Sequence, residues 1–320
     1  MSKKTCAVIY NPKATNFSKN KLHKICLELS KTYSVWEMES TTPGKTIELT
    51  KEANNNSDLI VSCGGDGTFG EVIKGMLEIE QKATISHNSM GTANDVRNML
   101  GLTKNSAKNA KLIANGVDKN LDIFTLNGEP FSYVAAFGYL ANVPCNTSSE
   151  LKKRLKYLAY LIQAVKEYKD ENPIEYDMSF IDGDGCMHTE SAIVATFTNS
   201  LGFGGMPLFK DVSLDDGMFE VTFIKNLKKL DMLKVVADIG MSLLRKDVDL
   251  QKYPNLITHF KTSSLDLRFL GENVLKNPLD VDGDPRYCYD ELSKDKAKIR
   301  NIKIERAGQV KIRVPNSTRA

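Results

Sequence analysis

The chain has 320 residues, of which 41% are hydrophobic, 26% charged and 8% aromatic, and its formal net charge is +3. These values belong to globular proteins and exclude disordered and collagen-like classes. A length of this order favours two domains, each able to bury its own core, and so small a net charge argues against a nucleic-acid partner. Positive charge is concentrated near the C-terminus, where ten Lys/Arg stand against four Asp/Glu after Pro285. Six cysteines (Cys6, Cys26, Cys63, Cys145, Cys186 and Cys288) are scattered singly. They are expected to be reduced thiols of a cytoplasmic protein and not disulfides or a zinc set. The N-terminal residues lack the apolar stretch of a signal peptide. The longest uncharged segment, Pro130 to Ser149, carries too many polar side chains for a membrane span.

Taken in chain order, KTCAVIY (Lys4 to Tyr10) reads as a buried strand ended by Asn11-Pro12. The spacing of Leu22, Ile25, Cys26 and Leu29 predicts an amphipathic helix over Asn20 to Lys31. An extended segment follows over Tyr33 to Met38, then a short helix over Thr46 to Ala53 and a strand over Asp58 to Cys63. A glycine turn over Gly64 to Gly67, a helix over Phe69 to Ile79 and a strand over Lys82 to Ser86 complete the run. This alternation predicts a parallel sheet with helices on both faces and a ligand crevice at the carboxyl ends of its strands.

After about Asp122 the pattern changes to short β-rich pieces, FSYVAAFG, IEYDMSFI, SAIVATFTN, MFEVTFIK and LDLRFL, which predict an antiparallel β domain. Helices are expected over Leu151 to Tyr168 and Leu230 to Leu244. Closing strands near Ile302 to Ile304 and Val310 to Val314 fit either domain. The predicted division is therefore 1–124, completed by 300–320, for the α/β domain and 125–299 for the β-sandwich.

The strongest chemical signal is Cys63-Gly64-Gly65-Asp66-Gly67-Thr68, set between a buried strand and a helix. Glycines there let backbone approach a ligand, and the N–H groups of a helix start suit a phosphate. A Cβ at Gly65 or Gly67 is expected to crowd the phosphate path and to demand a backbone angle closed to other residues. A plain strand-to-helix turn is the alternative reading. Ser89-Met90-Gly91-Thr92-Ala93-Asn94-Asp95 repeats the theme after the fourth strand, and two such loops can face one nucleotide. Gly65 to Gly70 also fits G-x-G-x-x-G, but Ser86 and His87 stand where a dinucleotide site needs an acid. Ser213-Leu214-Asp215-Asp216-Gly217-Met218 reads as a hairpin turn, and Asp280-Val281-Asp282-Gly283-Asp284 as another Asp-Gly turn. His23, His87, His188 and His259 have no partner at ligand spacing and are read as structural. Lys152, Lys153, Arg154 and Lys156 crowd a helix start, where the macrodipole disfavours them. They suit either a solvated face or an anionic bilayer.

The series NPKAT at Asn11, GGDGTFGEV at Gly64, GTANDVRNMLGL at Gly91, LDIF at Leu121, TNSLGFGG at Thr198, SLDDGMFEV at Ser213 and DVDGD at Asp280 resembles the soluble diacylglycerol kinase catalytic-domain family. That family includes bacterial lipid kinases and the related sphingosine kinases. The resemblance implies a Rossmann-like, phosphofructokinase-like nucleotide domain followed by an antiparallel β-sandwich, with ATP bound in a cleft between them. It implies ATP contacts from Asn11, Pro12, Lys13, Ser40, Thr41, Gly64, Gly65, Asp66, Gly67, Thr68, Glu71, Gly91, Thr92 and Asn94. It further implies catalytic Mg²⁺ held by Asp66, Asp95 and Asp122 through water, and a structural Mg²⁺ at Ser213, Asp216 and Met218. The general base is expected at Asp284, with Asp282 as its rival. The implied reaction is phosphorylation of diacylglycerol to phosphatidic acid, with a sphingoid base or NAD as alternative acceptor. A nucleotide-binding regulator without transfer activity is the reading from another class. Peripheral contact with an anionic membrane is expected, and a homodimer is left open. The chain departs from the family in having Asp284 for Glu, Gly70 for Asn, Ser89 for Pro, and no glycine after Asn11-Pro12.

Overall fold

The computed structural model describes residues 3–92, 94–139, 173–203, 206–209, 212–226, 229–245, 248–271, 279–286 and 299–316. The basic helix expected over Leu151 to Tyr168, with Lys152, Lys153, Arg154 and Lys156, lies outside them. The chain forms two compact units, one of Met1–Ile123, Ser213–Asp216 and Ala307–Ala320 and one of Phe124–Val212 and Gly217–Arg306.

The first unit opens with β1 (Thr5–Tyr10), α1 (Lys19–Ser30), β2 (Ser34–Glu39), α2 (Lys45–Asn56), β3 (Leu59–Gly64), α3 (Asp66–Leu77) and β4 (Thr84–Ser89). Two short helices follow, α4 (Asp95–Met99) and α5 (Ser106–Ala114), and then β5 (Val117–Leu126). The strands pair in parallel in the order β2-β1-β3-β4. Every residue of β3 is buried, as a strand covered on both faces requires. The chain moves from β1 one way to β2 and from β3 the other way to β4. Right-handed crossovers therefore put α1 and α3 on opposite faces, and the strand order reverses between β1 and β3. That reversal opens a crevice beyond their carboxyl ends, where Asn11 and Gly65 follow directly.

The second unit contains β6 (Glu129–Phe131), β7 (Val134–Gly138), β8 (Tyr176–Asp182), β9 (Met187–Ala192), β10 (Val194–Thr198), β11 (Gly202–Phe203), β12 (Met206–Pro207) and β13 (Phe219–Ile224). It continues with α6 (Lys229–Arg245), β14 (Ile257–Thr262), β15 (Leu265–Phe269), β16 (Leu279–Val281) and β17 (Asp284–Arg286). Among the described strands, one antiparallel sheet runs β14-β13-β10-β7-β16-β17. A second joins β15, β8 and β9 to the start of β18 (Asn301–Val314). Phe137, Phe197, Phe219 and Phe223 of the first sheet meet Tyr176, Phe180, Leu267 and Phe269 of the second in one buried cluster. Their alternation with polar residues is what a sandwich face demands.

Several expectations are corrected in detail. α3 begins at Asp66, inside the expected glycine turn, because Gly65 already serves as its N-cap. The run SAIVATFTN is two strands in different sheets, parted at Ile193, whose N–H bonds the Ile224 carbonyl at 2.8 Å and whose carbonyl accepts the Tyr139 N–H at 2.9 Å. The run FSYVAAFG is broken at Ser132-Tyr133, where the backbone N–H groups turn to a carboxylate described below. Leu214 to Gly217 is no hairpin: the Leu214 carbonyl accepts the Asp122 N–H at 2.7 Å, and β13 pairs with β10 and β14 instead. The closing segments form the single strand β18, whose end pairs with β4 at Ile312 and Ile85.

Gln81 grips that end. Its Nε2 donates to the Lys311 carbonyl at 2.8 Å and its Oε1 accepts the Lys311 N–H at 2.7 Å, so a side-chain amide replaces a neighbouring strand. Loss of these two bonds in Gln81→Ala is expected to reduce stability by about 1–2 kcal/mol and to speed amide exchange in 309–314. Unchanged exchange there would show that the clamp is idle.

Candidate active site

Three loops meet at the carboxyl ends of β1, β3 and β4. In the first, the Asn11 N–H donates to the Cys63 carbonyl at 2.9 Å, and Asn11 Oδ1 accepts the Lys13 N–H at 2.9 Å. That Asx turn sets the path of Pro12 and Lys13. Asn16, which sequence reasoning passed over, ties this loop to the third. Its N–H donates to the Met90 carbonyl at 2.9 Å and its Nδ2 to the Gly91 carbonyl at 2.6 Å. Thr92 Oγ1 lies 3.3 Å from Thr15 Oγ1.

The second loop, Gly64 to Thr68, turns directly into α3. Gly65 has φ of −82°, so the expected closed backbone angle is corrected: an ordinary residue can adopt it. Space is the constraint, and it falls on the neighbours. A Cβ on Gly64 would stand 2.2 Å from Thr68 Oγ1, and one on Gly91 would stand 2.7 Å from Gly65 Cα. A Cβ on Gly65 meets Gly91 Cα at an ordinary 3.6 Å. The second and third loops therefore touch backbone to backbone.

α3 is also left without a side-chain cap at Gly65, whereas Ser18 caps α1 and Asn105 caps α5. The first-turn N–H groups of an α-helix have no carbonyl one turn earlier. At α3 the Thr68 N–H turns back to the Gly65 carbonyl at 3.0 Å, and the N–H groups of Asp66 and Gly67 remain to face an anion, which fits a phosphate of ATP.

The acids occupy distinct places. Asp66 Oδ2 accepts the Asp95 N–H at 3.1 Å and Oδ1 the Val96 N–H at 3.3 Å, so this carboxylate caps α4. Burial and then the neighbouring Asp95 carboxylate raise Asp66 to about 6, against the backbone donors that lower it. Asp95 and Asp122 are buried. Among the described residues no group of three or more His, Cys, Asp or Glu side chains is arranged to hold a metal directly. The coupled Asp66 and Asp95 are hard oxygen donors and fit an ion that keeps its water shell.

Other expected contacts are turned to neighbours. Asn94, at φ 59°, accepts the Gly91 N–H on Oδ1 at 2.9 Å and donates Nδ2 to the Gly91 carbonyl at 2.8 Å. Glu71 Oε1 accepts the Gly44 N–H at 2.9 Å. Ser40 is buried and its Oγ accepts from Thr46 Oγ1 at 2.9 Å, while Thr41 is exposed. Ser213 Oγ donates to Asp215 Oδ1 at 2.8 Å, and Asp216 and Met218 are exposed on either side of Gly217.

In the second unit, Asp282 and Gly283 have φ of 53° and 82° and form the two-residue turn between β16 and β17, with Val281 paired to Asp284. The Asp282 carboxylate is fully engaged. Oδ2 accepts the Ser132 N–H at 2.8 Å and Oγ–H at 2.9 Å, and Oδ1 accepts the N–H groups of Tyr133 at 3.0 Å and Val134 at 3.1 Å. Burial raises it to about 6, and the four donors hold that rise down.

A parallel sheet with two touching glycine loops, joined in one chain to an antiparallel sandwich, defines a class of nucleotide-loop α/β protein. The diacylglycerol kinase catalytic domain matches residues 5–126, and the YegS C-terminal NAD kinase beta sandwich-like domain matches residues 134–281. A diacylglycerol kinase of Bacillus subtilis (strain 168) is 30% identical over 236 residues, 72% of this chain and 77% of its own. One of Staphylococcus carnosus (strain TM300) is 27% identical over 291 residues, 88% of this chain and 89% of its own. The crystal structure of a diacylglycerol kinase from Bacillus anthracis str. Sterne shares the fold at a TM-score of 0.74 and 22% identity, covering 99% of each chain. The chain belongs to the diacylglycerol kinase family. Members of that family are lipid kinases, and the family implies ATP as phosphoryl donor.

The close approach of the loops predicts that Gly91→Ala destabilises the protein by about 1–3 kcal/mol while Gly65→Ala leaves the fold intact. Equal melting temperatures for the two variants would overturn that ranking. Asp66 carries a second prediction. A raised carboxyl binds its proton more tightly in the folded state, so it contributes stability that falls as pH rises from 3.8 towards 6. In protein freed of divalent cations, Asp66→Asn should flatten the melting-temperature decline across that window. An unaltered pH slope would mean that Asp66 is not perturbed.

Proposed function

We propose that the chain is an ATP- and Mg²⁺-dependent kinase that phosphorylates the free hydroxyl of diacylglycerol to give phosphatidic acid. The observation that carries this reading is the uncapped start of α3 against the Gly91 loop, a backbone cradle suited to the phosphates of a nucleotide. In this reading Gly64, Gly65, Gly67 and Thr68 line the phosphates, with Asn11, Pro12, Lys13, Ser40, Thr41, Glu71, Gly91, Thr92 and Asn94 shaping or contacting the site. Asp66, Asp95 and Asp122 would hold Mg²⁺ through water, and Mg²⁺ would neutralise charge developing on the phosphates. A second, structural Mg²⁺ is assigned to Ser213, Asp216 and Met218.

Transfer balances simply. The hydroxyl oxygen forms the new bond to the γ-phosphorus, the bond to the β-phosphate oxygen breaks, ADP leaves, and the hydroxyl proton passes to a base. Asp284 at the start of β17 is assigned as that base. Asp282 is less suited, because both of its oxygens already accept two hydrogen bonds, so we assign it to fixing the turn. No helix among the described residues is long and apolar enough to cross a membrane. The reading places the protein in the cytoplasm and brings it to its lipid by peripheral contact.

The test is phosphorylation by the full chain of diacylglycerol, a sphingoid base and NAD, each with ATP and Mg²⁺. Diacylglycerol should be the acceptor, and exclusive turnover of another alcohol would overturn the assignment. Asp284→Asn should lower kcat by about 10²–10⁴ with KM for ATP unchanged. Asp282→Asn should instead lower stability by roughly 2 kcal/mol, since an amide cannot accept all four donors. Full activity of Asp284→Asn would remove it as base.

A further inference from the structure

The two faces of the parallel sheet carry different charge. On one, α2 and α3 pack together and mix Lys45, Lys51 and Lys74 with Glu48, Glu52, Asp66 and Glu71. Two of these lysines are paired: Lys45 meets Glu48 at 2.7 Å, and Lys51 meets Glu78 just past the end of α3. On the other face α1 packs against α5, and Glu28 is the sole acid in either helix.

This second face exposes its lysines. In α1, Leu22, Ile25 and Leu29 are buried, so Lys24, Leu27 and Lys31 stand on successive turns at the centre of the opposite, exposed side. Leu27 is 54% exposed between the two lysines. In α5, Asn109, Ala110 and Ile113 are buried, while Lys108 and Lys111 are exposed, with exposed Lys104 just ahead of the cap. Glu28 is taken by Lys31 at 2.6 Å. The ammonium groups of Lys19, Lys24, Lys104, Lys108 and Lys111 have no partner among the described residues.

Helix stability does not ask for this arrangement. The N-terminus is the positive end of the helix dipole and favours acids, and α2, α3 and α4 each carry one in the first turn, Glu48, Asp66 and Asp95. α1 and α5 carry none and place Lys19, Lys21 and Lys108 there instead. Lys21 and Lys24, and Lys108 and Lys111, are also like-charged neighbours one turn apart. A surface of opposite charge offsets both costs.

The residue type narrows the anionic partner. Neither helix holds an arginine, the residue that grips phosphate or carboxylate in a fixed fork, and lysine is depleted from protein–protein interfaces. Hydrated lysines around one exposed leucine suit a diffuse layer of headgroups over an apolar interior. The basic face also borders the site, because Lys21 Nζ donates to the Asn16 carbonyl at 2.8 Å and Asn16 in turn holds the Gly91 loop.

We propose that the α1–α5 face docks the chain on an anionic lipid bilayer, with its lysines among the headgroup phosphates and Leu27 entering the interface between them. The choice of a bilayer rests on the reading of the chain as a lipid kinase, whose acceptor is held there.

The test is co-sedimentation of the full chain with phosphatidylcholine vesicles, with and without phosphatidylglycerol, which needs neither ATP nor turnover. Wild type should bind the anionic vesicles only, and added salt should release it. The triple variant Lys104→Gln, Lys108→Gln, Lys111→Gln should bind them about a hundredfold more weakly, at roughly fivefold for each lysine. The same loss of charge on the other face, in Lys45→Gln, Lys51→Gln, Lys74→Gln, should leave binding near that of wild type. Leu27→Gln alters no charge and no buried contact, so it should weaken binding about tenfold at an unchanged melting temperature. Wild-type binding in the α5 variant or in Leu27→Gln, or an equal loss in the α2–α3 variant, would overturn the docking face. A wild-type chain that binds anionic vesicles but phosphorylates no lipid removes the kinase reading and leaves the docking face standing. One that phosphorylates diacylglycerol in detergent micelles but binds no vesicle does the reverse.

Discussion

The approach of the Gly65 and Gly91 backbones is the constraint on which the first unit's site depends. Two loops from neighbouring parallel strands can meet at this distance only if the third loop carries no side chain at position 91, since a Cβ on Gly91 would come within 2.7 Å of Gly65 Cα. Once they meet, much of the polar chemistry nearby is spent on keeping them there. Asn16 spans from the first loop to Met90 and Gly91, and Asn94 folds its carboxamide back on Gly91. Asp66 reaches across to the start of α4. What remains at the start of α3 is the pair of N–H groups of Asp66 and Gly67, ahead of Thr68, whose N–H turns back to the Gly65 carbonyl, and such groups suit a phosphate.

The second unit solves a related problem with a carboxylate in place of glycines. Asp282 sits at the left-handed corner of its turn and gathers three consecutive backbone N–H groups and a hydroxyl from Ser132 to Val134. Such a cage fixes the β16-β17 turn to the start of β7. It also explains why β6 and β7 are separate strands, since the N–H groups between them face the acid and not a neighbouring strand. A side chain so occupied has no free oxygen position for an incoming hydroxyl, which would have to displace one of the donors. The same turn sets the backbone of Asp284, which pairs with Val281.

The α/β unit was largely legible because β1 and β3 are short apolar runs followed at once by Asn-Pro or by glycines, and helical spacing separates them. The glycine loops were legible for the same reason. Individual side-chain roles were not. Asp66 and Asn94 stand in a motif that suggests ligand contact, yet the described bonds of both are to backbone of the loops themselves, and no spacing rule announces which partner a carboxylate or carboxamide will choose. Asp282 draws its donors from 150 residues upstream, a distance over which local pattern carries no information. The split at Ile193 was hidden because no glycine or proline marks the change of sheet. The beginning of α3 was placed too late because Gly67 and Thr68 read as turn, whereas a glycine N-cap admits them to the first helical turn.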